Sequence, residues 1–161
     1  SDVFVKSAPA GVGLAIDAPD ETSSVRLISI SDVSTNSKVT ASNGVTVVTW
    51  EQTGGSNLLS AGATITTITM KGGLLTTSGD FTVTTLTTTG GTYNANHIKT
   101  GGDAITTLNI NGGIVDTQNN NQSRTINATT MKIGGTLRSD NDDVTFTTFN
   151  EPTGKFTTIV S

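Results

Sequence analysis

Adjacent glycines recur along the chain, and five such pairs, at 54/55, 72/73, 90/91, 112/113 and 134/135, each close a similar segment. The segments are "VVTWEQTGG" (47–55), "ITTITMKGG" (65–73), "VTTLTTTGG" (83–91), "ITTLNINGG" (105–113) and, aligned on its glycines with one residue fewer, "TTMKIGG" (129–135). Successive pairs lie 18, 18, 22 and 22 residues apart. Self-similarity at a period of about 20 residues is the signature of a solenoid, in which each repeat buries its apolar side against its neighbours. Few other folds accommodate it.

The residues around each pair indicate which solenoid. Before the glycines, apolar and polar residues alternate: Ile68 and Met70, Leu86 and Thr88, Leu108 and Ile110, Met131 and Ile133. A period of two means strand. After the glycines, an apolar position recurs at Leu75, Tyr93, Val115 and Leu137, followed by polar, turn-rich segments such as "SGD", "NAN" and "QNNNQS". Each repeat therefore reads as strand, Gly-Gly corner, strand and loop. The expected fold is all-β, a right-handed parallel β-helix (β-solenoid) of about five or six short coils. Such a narrow core needs only two or three inward side chains per strand, so the modest hydrophobic content of 33% suffices. Outward positions suit stiff, β-branched Thr. Trp50 aligns with Ile68, Leu86 and Leu108 and is read as core in preference to a sugar-stacking platform. An antiparallel β-sandwich is the rival fold, but it does not require a matched glycine corner in every repeat.

Both ends depart from the repeat. Residues 1–24 hold two of the three prolines and no double glycine, and are read as an N-terminal arm that docks or caps, with Val3, Phe4 and Val5 as its apolar docking residues. Residues 25–161 form the solenoid. Its end, 144–161, carries "EPTG" between Phe146 and Phe156, which suits a type I turn and a C-terminal β-hairpin lid over the last rung.

Composition bears on partners. The formal charge is −4 with nine scattered basic residues, which opposes nucleic-acid binding because phosphate neutralisation needs clustered Lys and Arg. There is no cysteine, hence no disulfide or thiolate site. No apolar run approaches a membrane span, and "SDVFVKSAPAG" lacks a secretory core, so a mature soluble chain without membrane contact is expected.

Candidates for catalytic and metal chemistry fall on the same frame. Asp80, Asp103 and Asp143 each precede a strand and are expected to stack in one column, where paired carboxylates bind Ca²⁺ or transfer protons, or else simply cap turns. "DNDD" (140–143) with Glu151 begins like a calcium loop but has Val144 and Thr145 where a ligand and a glycine belong. His97, the single histidine, has no companion for a transition-metal set, and "GVG" (11–13) is too short for a dinucleotide fingerprint. Asp116 and Arg138 fall in one column and read as a cross-strand ion pair. "NQS" (121–123) and "NAT" (127–129) match the glycosylation pattern, as Asn- and Thr-rich chains do by chance. No catalytic residue, metal ligand or cofactor site is assigned, and no enzyme is expected. Leu74 and Ile114 are expected to point outward in the column of Ser56, Thr92 and Thr136, as a self-association surface.

The segments "TTLNINGG" and "TTITMKGGLL" resemble the Thr/Gly-repeat β-solenoid segments of structural proteins of tailed bacteriophages, including capsid decoration (cement) proteins and fibres. The resemblance covers roughly residues 45–145 and carries no catalytic residues. It implies a homotrimeric virion protein on the capsid surface whose partner is the major capsid protein or another virion protein, docked through a non-repeating terminal segment. Two alternatives remain. A tailspike-type glycan-binding β-helix needs an acidic, aromatic groove. An ice-binding solenoid needs a flat Thr-x-Thr array, for which Thr67/Thr69 and Thr85/Thr87 qualify but the following Thr107/Asn109 and Thr130/Lys132 do not.

Overall fold

A computed structural model describes residues 2–4, 13–17, 23–30, 38–42, 45–59, 64–98, 102–118, 124–131, 134–139 and 144–150, with side chains from Thr49 onward except at 64, 98, 103, 124, 128, 131 and 149. All regular structure in these residues is strand, and every pairing is parallel. The strands fall into two columns. The first contains β1 (Asp2–Phe4), β3 (Ser23–Ile30), β5 (Val45–Gln52), β7 (Thr64–Met70), the first half of β9 (Val83–Ile98), the first half of β10 (Asp103–Asp116), β11 (Arg124–Met131) and β13 (Val144–Asn150). The second contains β2 (Gly13–Asp17), β4 (Lys38–Ser42), β6 (Ser56–Leu59), β8 (Leu74–Asp80), the second halves of β9 and β10, and β12 (Gly135–Arg138). The chain alternates between columns and climbs one rung at each circuit, which is a parallel β-solenoid.

In-register parallel stacking places equivalent residues over one another, so the core is a set of vertical files. Trp50, Ile68, Leu86 and Leu108 occupy one file as register partners, and all four are fully buried. Ile65, Val83, Ile105 and Ile126 form a second, and Leu75, Tyr93, Val115 and Leu137 a third. Each buried aliphatic side chain contributes about 1.5–3 kcal/mol of transfer free energy. Two polar core groups are tied in at the first described corner. The Trp50 Nε1–H donates to Gln52 Oε1 (3.2 Å), and Gln52 Nε2 donates to the carbonyls of Gly55 (3.2 Å) and Leu74 (2.9 Å), linking one coil to the corner of the next.

The alternation expected before the glycines holds at 68/70, 86/88 and 108/110, and the period of two breaks just upstream of these pairs. Between Ile65 and Ile68, Val83 and Leu86, and Ile105 and Leu108, two consecutive residues face outward. Ladder pairing skips the first of the two. The strand bends there, and Thr-Thr supplies a corner whose side chains need only tolerate solvent. This accounts for much of the paired threonine content.

At the Gly-Gly corner the coils approach most closely. The second glycine of the first four corner pairs has a positive φ, +76° at Gly73 and +74° at Gly91, in the left-handed region that other residues enter only with strain; in the last pair it is the first, Gly134. A Cβ at Gly91 would lie 2.6 Å from the Gly73 carbonyl oxygen, and one at Gly90 would lie 2.5 Å from that of Lys71. The amides of Leu74 and Thr92 donate to the carbonyls of Gly55 and Gly73, each at 2.8 Å. The glycines thus permit a hydrogen-bonded stack that a methyl group would wedge apart.

The last repeat runs in a different register from that expected. Leu108 pairs with Thr129 and Ile110 with Met131, so Thr129, fully buried, takes the place expected for Met131. The glycine alignment shortens this coil by one residue, whereas it holds one more between Met131 and Gly135 than the coil below holds between Ile110 and Gly113, so the strand lies two residues from the expected place. Ile133 lies outside the described residues.

At the ends, β1 and β2 lie within residues 1–24, and their backbones pair with β3 and β4 without a double glycine between the columns. β13 pairs with β11 and continues the first column. The remainder of the expected hairpin lid, 151–161, lies outside the described residues.

Candidate functional site

Leu74 and Ile114 stand where the repeat predicts, in the outward file Ser56, Leu74, Thr92, Ile114 and Thr136, and both are half-buried on the second column. Thr92 separates them, so they are about 10 Å apart along the axis at ordinary strand spacing. Leu58, not singled out from the sequence, joins this face. It is half-buried and pairs with Thr76, which makes it a diagonal neighbour of Leu74 at roughly 7–8 Å. Its signal was weak because "SNLL" offers two leucines, and only the register decides that Leu59 is inside and Leu58 outside.

The adjacent file runs Leu58, Thr76, Asn94, Asp116 and Arg138 and ends in the expected ion pair, with Arg138 Nη1 3.6 Å from Asp116 Oδ2. Asp116 also accepts the Gln118 amide (3.0 Å), which fixes the carboxylate as a turn cap. With the Arg138 side chain 40% exposed, the pair is screened by solvent. Arg138→Gln is expected to change unfolding free energy by less than about 0.5 kcal/mol in urea titration.

The first column presents a hydroxyl and amide wall. Its outward register is Thr49, Thr67, Thr85, Thr107 and Thr148, with Ala128 in backbone register between the last two, flanked by Glu51, Thr69, Thr87, Asn109, Thr130 and Asn150. Thr130 therefore belongs beside Ala128 and opposite Asn109, not in a Thr130/Lys132 pair. The shift follows from the register of the last coil. Glu51, Asn109 and Ala128 interrupt the Thr-x-Thr array, and Glu51 is held in an ion pair with Lys71 of the next rung.

Asp80 and Asp103 do not stack. Asp80 ends β8 and pairs with Ile98, whereas Asp103 opens β10 and pairs with Thr125. Asp80 belongs to the end of the second column and Asp103 to the start of the first, so the carboxylate column fails in the ladder. Asp143, the 140–143 run and Glu151 lie outside the described residues. Among the described residues there is no group of three or more His, Asp or Glu side chains that could hold a metal. His97 is fully buried, with Nδ1 2.8 Å from Thr77 Oγ1 and Nε2 2.9 Å from the Ala104 carbonyl oxygen. Asn127 of the "NAT" match lies on β11 and its Oδ1 accepts from the Thr147 hydroxyl (2.6 Å), while Thr129 is inside. "NQS", Gly11 and Val12 are outside the described residues.

On the expected arm, Val3 and Phe4 lie on β1 in register with Leu27 and Ile28, and Val5 lies outside the described residues. No protein-family model matches the chain, and no curated protein or solved structure is significantly similar to it.

Proposed function

We propose that the chain is a non-enzymatic structural protein of a virion, a capsid decoration protein that binds and stabilises a tailed-phage shell as a homotrimer. The observation that carries this reading is the second-column face: a ladder of hydrogen-bonded rungs holds Leu58, Leu74 and Ile114 on one wall among threonines and asparagine. A rigid wall of small polar residues with spaced apolar contacts suits association with another protein surface. The virion setting comes from the resemblance of the repeats, and residues 1–24 are the segment assigned to the shell. Stabilisation then arises by mass action, because a protein bound only to the assembled shell shifts its disassembly equilibrium.

Two measurements test the reading. Sedimentation velocity should give a trimer for the full chain and a lower mass for Leu74→Asp with Ile114→Asp. An unchanged mass removes the wall from the account. Antibody labelling of phage particles released by cells carrying the gene should mark the capsid surface. Label confined to tails favours a fibre, and unlabelled particles overturn the virion assignment.

A further inference from the structure

We propose that His97 is a proton-sensitive pin that closes the longer return loop between β9 and β10, neutral in the folded chain and released by acidification. This inference is independent of the virion reading. The Gly pairs at the corners are 18 residues apart up to Gly90 and 22 apart from there to Gly112. The extra length falls in the return loop. Asp80 is followed by Val83 three residues later, whereas its register partner Ile98 is followed by Ile105, the partner of Val83, seven residues later. His97 bridges this longer loop through Nε2 to the Ala104 carbonyl.

The ring sits in a fitted box. Phe81, the first residue after β8, stacks on it with centroids 4.6 Å apart and planes 12° apart, and Tyr93 meets it edge-on at 6.3 Å. Hydrogen bonding fixes the tautomer. A carbonyl oxygen can only accept, so Nε2 carries the proton and donates to Ala104. Nδ1 then accepts from Thr77, whose hydroxyl also lies 3.2 Å from that of Tyr93. Protonating Nδ1 reverses this bond: the ring must donate to Thr77 Oγ1, and Thr77 must turn its own proton to the Asn94 carbonyl at 3.1 Å. The rearrangement satisfies the donors but places a full charge in a site closed to water, which burial disfavours.

The ionisable groups on the packed elements are exposed Asp80 at the end of β8, the Tyr93 phenol on β9, and Asp103, which precedes Ala104 on β10. A carboxylate holding the ring charged would give the opposite pH response, so the test separates the two. A solvated histidine takes up its proton near about pH 6.5. Below that value the unfolded chain binds one proton that the folded chain refuses, so stability falls as pH falls.

His97 is the only histidine, so its ring resonance needs no assignment by mutation. In a proton NMR titration of the full chain, its Cε1–H shift should stay constant from pH 7.5 to about pH 5.5, well below the midpoint near 6.5 of a free ring. Over the same range the urea-derived unfolding constant should rise by up to about tenfold per pH unit, and this dependence should vanish in His97→Gln. A ring that titrates at or above about 6.5 overturns the proposal, as does a wild-type pH dependence equal to that of the variant.

Discussion

Alanine at Gly91 is expected to lower the unfolding free energy by roughly 3–5 kcal/mol, because two penalties coincide there. The backbone has a φ of +74°, and the new Cβ meets the Gly73 carbonyl oxygen at 2.6 Å and Gly72 backbone atoms within 2.9 Å. Neither neighbour is a side-chain tip that can swing away, so the coils must part. Two further substitutions divide the effect. Gly90→Ala retains the clash, at 2.5 Å from the Lys71 carbonyl oxygen, without a positive φ, and should cost about 2–3 kcal/mol. Gly134→Ala has a φ of +93° with nothing within 4 Å of the new Cβ, and should cost about 1 kcal/mol. Urea unfolding of the three variants checks the order. Equal losses at Gly91 and Gly134 would mean that close stacking of the corners contributes nothing.

Leu86→Ala is expected to cost about 3–5 kcal/mol in the same assay. The side chain is fully buried, with Ile68 on the rung below and Leu108 on the rung above. Removing it opens a cavity in the middle of the file, where ladder hydrogen bonds on both sides hold the rungs at fixed spacing and oppose collapse. Leu74→Ala, on the outward side of the next column, should cost less than about 1 kcal/mol in the monomer. A similar loss for both variants would contradict the assignment of inside and outside.

The class of fold was legible because the repeat states it several times. One strand such as "ITTIT" is ambiguous, whereas the same pattern before successive glycine pairs fixes the corner, the core file and the direction of stacking. The Leu75 and Tyr93 file and the outward Leu74 and Ile114 followed from the same alignment, since parallel register converts equal offsets from a corner into vertical neighbours. Alignment failed where coils differ in length. The last coil has one extra residue after Met131 where the glycine alignment has one fewer, so Thr129 and Thr130 lie two positions from where that alignment puts them. The carboxylate column failed because Asp80 ends one strand and Asp103 begins another, a difference that loop length conceals. His97 read as an isolated residue. Its partners Thr77, Phe81 and Ala104 come from the rung below and from beyond the return loop, and only the stacked coils bring them together.

The in-register stack itself is tested most directly by distances between spin labels, which the absence of native cysteine makes simple to attach. Thr49 pairs with Thr67, Thr67 with Thr85 and Thr85 with Thr107, and the same file continues through Ala128 to Thr148. Labels at Thr49→Cys and Thr107→Cys should lie about 14 Å apart along the axis, and labels at Thr49→Cys and Thr148→Cys about 24 Å, at about 4.8 Å for each rung climbed. A second distance no longer than the first would contradict a solenoid that stacks these threonines in one file.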